Sequence, residues 1–143
     1  MGQVISDMGW SRDSCCVSSK VFFGAVDNPA PTQRGLSRKH VVDACHAALR
    51  RLRVDYLDLY FCHRPDPETP IAETVHAMNG LIEQGEVLYW GTSQWTAQQI
   101  AEAIAIADAH GWQRPAMEQP HYNLFERDRV EHELVYLCTR VWE

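Results

Sequence analysis

Hydrophobic positions along the chain follow two alternating rhythms. Val41, Cys45, Ala48 and Leu52 repeat at helical spacing between Arg38 and Arg53, which predicts a helix with one stripe turned to a core. Ser37 stands where its N-cap belongs, and Arg50, Arg51 and Arg53 crowd its last turn, where cations complement the helix dipole. Ile71, Val75, Met78 and Ile82 form a second stripe, with Thr69 as N-cap, Pro70 at the first helical position and Gly85 as the stop. A third helix carries Ile100, Ala103, Ile104 and Ala107, opened by a Thr96/Gln99 capping box and ended by Gly111. Between these lie runs too short and too apolar for surface helices. They predict strands over Cys15–Phe23, Tyr56–Cys62, Val87–Trp90 and Ala116–Gln119. Val4, Ile5 and Met8 predict the tail of a helix at the start of the chain, and residues 28–35 a loop. Val130, Leu134 and Cys138 predict a last helix, with Asp128 and Glu131 as an acidic capping box.

Strand, helix, strand, helix means a parallel sheet. Two layouts satisfy it: a doubly wound sheet, or a section of a (β/α)₈ barrel. No Gly-x-Gly-x-x-Gly follows any strand, so the dinucleotide fingerprint of the doubly wound fold is missing and the barrel is favoured. The expected class is therefore α/β, a partial (β/α)₈ TIM barrel with parallel strands.

Composition narrows the function classes. The net charge of −6 over 143 residues argues against a nucleic-acid partner or an anionic membrane surface, since both need a basic patch. No apolar run has the length for membrane insertion, and no signal peptide is visible. The five cysteines are odd in number and contain no Cys-x-x-Cys, which fits a reducing, cytoplasmic compartment. No His-Glu-x-x-His occurs, and His40 and His46 lack metal-ligand spacing, so no metal site is expected. Met1-Gly2-Gln3-Val4-Ile5-Ser6 matches the loose myristoylation pattern.

The candidate chemistry lies at the strand ends, which close on Lys20, on His63, on Ser93 with Gln94, and on Gln119. In parallel α/β folds the carboxyl ends of the strands hold the site, and in a barrel they converge on one rim. His63 either caps its strand by hydrogen bonding to backbone or presents an imidazole to a reacting oxygen. Lys20 is either an edge lysine or a charge held in a site to depress a neighbour's pKa, since burying it in an apolar strand is costly. Ser93 and Gln119 either close strand-end hydrogen bonds or fix a planar amide ligand. Asp58, in mid-strand, is expected to pair with a helix terminus or a basic side chain.

Several stretches together resemble the aldo-keto reductase superfamily. They are Ser-Ser-Lys-Val-Phe-Phe-Gly (18–24), Gly-Leu-Ser-Arg-Lys-His (35–40), Leu-Arg-Arg-Leu-Arg-Val-Asp-Tyr-Leu-Asp-Leu-Tyr (49–60), His-Arg-Pro-Asp-Pro-Glu-Thr-Pro-Ile-Ala-Glu-Thr (63–74), Gln-Gly-Glu-Val-Leu-Tyr-Trp-Gly-Thr-Ser-Gln-Trp (84–95) and Glu-Gln-Pro-His-Tyr-Asn (118–123). The nearest likeness is to the branch of the potassium-channel β subunits and their bacterial relatives. The resemblance implies a barrel that binds NADPH and reduces a small-molecule aldehyde or ketone by hydride transfer. It implies that Lys20 is the lysine that lowers a catalytic tyrosine's pKa and that His63 orients the carbonyl oxygen. Ser93, Gln94 and Gln119 would hold the nicotinamide carboxamide. Channel β subunits carry Asn where this chain has His63, which places it nearer the bacterial enzymes.

The family's Asp-Thr-Ala and Tyr-Gly segments, which supply its Asp and Tyr, do not occur here, and Arg140-Val141-Trp142-Glu143 leaves the family pattern. The resemblance thus implies one partial reductase domain over 1–143, truncated at both ends and spanning about units three to six of an eight-unit barrel. It implies three alternatives: a piece of a reductase, a channel-β-like binding module, or an inactive fragment. An open section of barrel also predicts a homo-oligomer or a protein partner that covers its exposed edges.

Overall fold

The computed structural model describes residues 1–140, without the side chains of Cys138 and Arg140. The expected place of Cys138 on the last helix therefore lies outside the described residues. Four strands form one parallel sheet in the order β1 (Ser18–Val21), β2 (Leu57–Cys62), β3 (Val87–Ser93), β4 (Glu118–Gln119). Helices α2 (Arg38–Leu52), α3 (Ile71–Glu83) and α4 (Ala97–His110) connect them, α1 (Gly2–Met8) precedes, and α5 (Val135–Arg140) follows. Each strand pairs with the next in sequence, as in a section of a (β/α)₈ barrel. The register aligns Lys20 with Phe61, Cys62 with Thr92, and Ser93 with Gln119. The four strand ends therefore lie side by side.

One face of the sheet carries the core. Tyr60, Cys62 and Trp90 are buried with the stripes Val41, Cys45 and Ala48 of α2, Val75, Met78 and Leu81 of α3, and Ile100, Ala103 and Ala107 of α4. Two polar groups carried into this layer find partners: the Tyr60 hydroxyl donates to the Val41 carbonyl (3.0 Å), and the Trp90 indole N–H to the Gln113 carbonyl (2.9 Å). Gly91 gives β3 and β4 their close approach, since a Cβ there would lie 2.6 Å from the Met117 carbonyl oxygen.

The predicted caps of α2 and α4 are present. Ser37 accepts from the His40 N–H, and Thr96 and Gln99 accept from each other's backbone N–H at 3.2 and 3.0 Å respectively. Asp58 accepts from Arg12 at 2.6 Å and from the Val17 N–H at 2.7 Å, the basic partner expected of a mid-strand carboxylate.

Other boundaries differ. The first strand is only Ser18–Val21, because Arg12–Ser14 winds into a 3₁₀ turn and the chain bends away after Val21. A second 3₁₀ turn, Pro31–Gln33, stands within the predicted loop. Thr69 does not cap α3: its hydroxyl bonds to Asp66 (2.8 Å) and Pro70 takes the N-cap place. The Asp128/Glu131 capping box is not formed. Asp128 makes no cap bond, and Glu131 turns to Arg127 (2.8 Å) and the Tyr122 hydroxyl (2.7 Å). The chain instead takes a wide π turn over Arg129–Glu133, closed by Leu134 N–H to the Arg129 carbonyl (2.9 Å). In α1, Val4 and Met8 are exposed while Ile5 packs on the core and Gly2 is buried against the Arg51 carbonyl. The residue that the myristoylation pattern would acylate is thus packed under α2.

Candidate functional site

The strand ends open onto a cleft of about 500 Å³ lined by Lys20, His63, Ser93, Gln94 and Gln119, together with Arg64, Pro120 and His121. All five residues singled out from the sequence meet there. A separate hollow of about 340 Å³ beside α2 shares Lys20 but none of the other four.

Lys20 is exposed, on the edge strand. The burial cost expected for a lysine in a doubly covered strand does not arise. Its ammonium donates to the Gln119 side-chain oxygen and stands 5.7 Å from the centre of the Phe61 ring. His63 is the first residue after β2. Its backbone N–H donates to the Val21 carbonyl (2.9 Å), so the backbone caps the strand and the imidazole is left to the cleft. The ring meets Phe23 edge to face at 5.3 Å. Burial, reinforced by the charges of Arg64 and Lys20, lowers its pKa below the usual 6.5. At neutral pH the ring is uncharged, with one N–H to donate.

Ser93 ends β3 and is 3 % exposed. Its hydroxyl donates to the Gln119 carbonyl (3.0 Å), the ordinary strand-end bond, and its oxygen can still accept. Gln94 holds a left-handed backbone (φ 62°) and is clamped by Arg129, which donates to its carbonyl (2.9 Å) and to its side-chain oxygen (3.2 Å). With the side-chain oxygens of Gln94 and Gln119 so engaged, both residues keep their NH₂ groups as donors. This array of amide donors and a hydroxyl acceptor fits a planar carboxamide.

Three functional neighbours were missed in the sequence. Arg64 lines the cleft and donates to the His63 carbonyl at 2.6 Å; its adjacency to His63 was the available signal. Arg129 positions Gln94 from a segment whose pattern suggested only helix. Glu118 sits near Thr92 and the backbone of Gln94 and Trp95, yet neither carboxylate oxygen closes a hydrogen bond. Burial raises its pKa by more than those neighbours and Arg129 pull it down. Among the described residues, no group of three His, Cys, Asp or Glu side chains could hold a metal ion, and no helix is long and apolar enough to cross a membrane.

Comparison with known proteins identifies the family. The aldo/keto reductase family pattern matches residues 1–140. A protein of Arabidopsis thaliana described as a probable voltage-gated potassium channel subunit beta is 50% identical over 139 residues, covering 97% of this chain and 42% of that protein. A rice protein (Oryza sativa subsp. japonica) of the same description is 49% identical, with the same coverage. The chain therefore spans about 42% of the length of these curated relatives. With the family pattern running through every strand and helix that builds the cleft, the chain belongs to the aldo/keto reductase family.

Proposed function

We propose that this chain carries the carbonyl-orienting and nicotinamide-holding part of an NADPH-dependent aldehyde or ketone reductase. The observation that carries the reading is the meeting of Lys20, His63, Ser93, Gln94 and Gln119 in one cleft. Ser93, Gln94 and Gln119 would hold the carboxamide of the nicotinamide, which supplies a hydride when bound. His63, neutral at pH 7, donates a hydrogen bond to the carbonyl oxygen and polarises it without giving up a proton. Lys20 holds positive charge beside the place where a proton-donating tyrosine would stand. Among the described residues, no tyrosine lines the cleft. Tyr60 is buried with its hydroxyl on Val41, and Tyr122 is bound to Glu131.

The test is turnover. The purified 143-residue chain should bind NADPH weakly and should reduce no aldehyde. A longer reading frame that supplies the Asp-Thr-Ala and Tyr-Gly segments should turn over. In that frame His63→Ala should lower kcat/KM by about 100-fold or more. Steady turnover by the 143 residues alone would overturn these roles. A second reading, docking to a membrane channel as a regulatory subunit, draws on the description of the plant relatives. Recovery of a channel protein with the tagged chain would favour it.

A further inference from the structure

The cleft is cationic in an acidic chain. The net charge is −6, yet the side chains lining the cleft include the cations Lys20 and Arg64, beside the rings of His63 and His121, and no carboxylate. The His121 ring meets Glu126 at 2.6 Å. Lys20 is bonded to an amide, and Arg64 to a backbone carbonyl; neither has a carboxylate partner among the described residues. Arg64 is half-buried, and its one bond, to the His63 carbonyl at 2.6 Å, ties the guanidinium to the residue whose imidazole faces the cleft. The rest of its five-donor fork is left for a ligand.

A planar fork beside an imidazole donor suits a ligand with two adjacent features, a carbonyl oxygen and an anion. A carboxylate matches the fork with two parallel hydrogen bonds. A 2-oxo acid carries both features on neighbouring carbons. We propose that Arg64 reads an anionic group on the ligand, so that this cleft selects carbonyl compounds bearing a carboxylate, with 2-oxo acids as the best fit. The inference rests on the reading of His63 as the group that orients the carbonyl. The same fork could grip a phosphate of the cofactor, and the experiment separates the two sources.

The 143-residue chain is titrated with benzoylformate, with its uncharged amide and with nicotinamide mononucleotide, following the histidine ring signals by NMR. The acid should bind about tenfold or more tightly than the amide. In Arg64→Gln that margin should collapse while nicotinamide mononucleotide binding is unchanged, and in Arg64→Lys, which keeps charge without the fork, it should shrink but persist. Equal affinity for acid and amide in the parent chain overturns the proposal without any variant. So does a margin that survives Arg64→Gln, or a loss that falls on the mononucleotide alone. A separate titration with NADP⁺ addresses the reductase reading. Failure to bind it, with the acid preference intact, would sink that reading and leave the anion site standing.

Discussion

At the scale of single residues, charge decides what each group in the cleft can do. His63 is kept neutral by burial and by two neighbouring cations, Arg64 and Lys20. His40, on the buried face of α2 and 6 % exposed, is also pushed below 6.5 by burial, against a smaller upward pull from Asp43. The unfolded chain takes up a proton at each imidazole near pH 6.5, while the folded chain resists it. Unfolding therefore binds protons, stability rises with pH through this window, and it is lost as pH falls below about 6.5. Each imidazole contributes a slope of at most about 1.4 kcal/mol per pH unit. Urea denaturation from pH 7.5 to 5 should show the decline, and His40→Gln should flatten it. An unchanged slope in that variant would remove His40 from the account. The sequence made Lys20, His63, Ser93 and Gln119 visible because each is a polar residue closing an apolar run. Arg64 escaped because it lies one step past the strand, in a proline-stopped loop without periodicity. Glu118 escaped because it stands inside the short predicted strand Ala116–Gln119, where nothing local shows that the backbone of Gln94 and Trp95 comes to lie near it.

At the scale of elements, the loops that flank the cleft are tied together by one carboxylate. Asp66 accepts from the Leu36 N–H (2.7 Å), the Glu68 N–H (3.0 Å) and the Thr69 hydroxyl (2.8 Å), joining the β1–α2 loop to the β2–α3 loop. Burial alone would raise its pKa, but these three donors hold it below the usual carboxylate range. Asp66→Ala leaves the Leu36 N–H without its acceptor and should destabilise by about 2–3 kcal/mol, read as a lower urea midpoint. A change under about 0.5 kcal/mol would mean that the loops hold without it. The same residue explains why the start of α3 was misread. Thr69 followed by Pro70 has the sequence of a cap, but a hydroxyl drawn to Asp66 cannot serve a helix N-terminus. Ser37 and Thr96 were legible because each cap needs only its own helix. The turn at Arg129 was not, since its shape depends on Gln94, 35 residues away in sequence.

At the scale of the whole molecule, the alternation of stripes and apolar runs was enough to give the parallel sheet, because each βα unit buries its own layer. What lies beyond the sheet is another matter. Both β1 and β4 are edge strands of the described sheet, and Phe23, Tyr89, Leu124 and Phe125 are largely exposed. Such edges offer unpaired backbone groups to another chain. The 143-residue chain should therefore self-associate, with its sedimentation coefficient rising with concentration across the micromolar range; a concentration-independent monomer would refute this. Whatever covers these edges meets a shape that is already set. In a flat sheet β1 and β4 would stand three strand spacings apart, about 14 Å, and side chains rising perpendicular to it would stay that far apart. Yet the Lys20 ammonium rests on the Gln119 amide. That bond is a chord drawn across an arc. The side chains of the first and last strands of the sheet already meet across β2 and β3, so any closing partner finds these two ends joined at the rim.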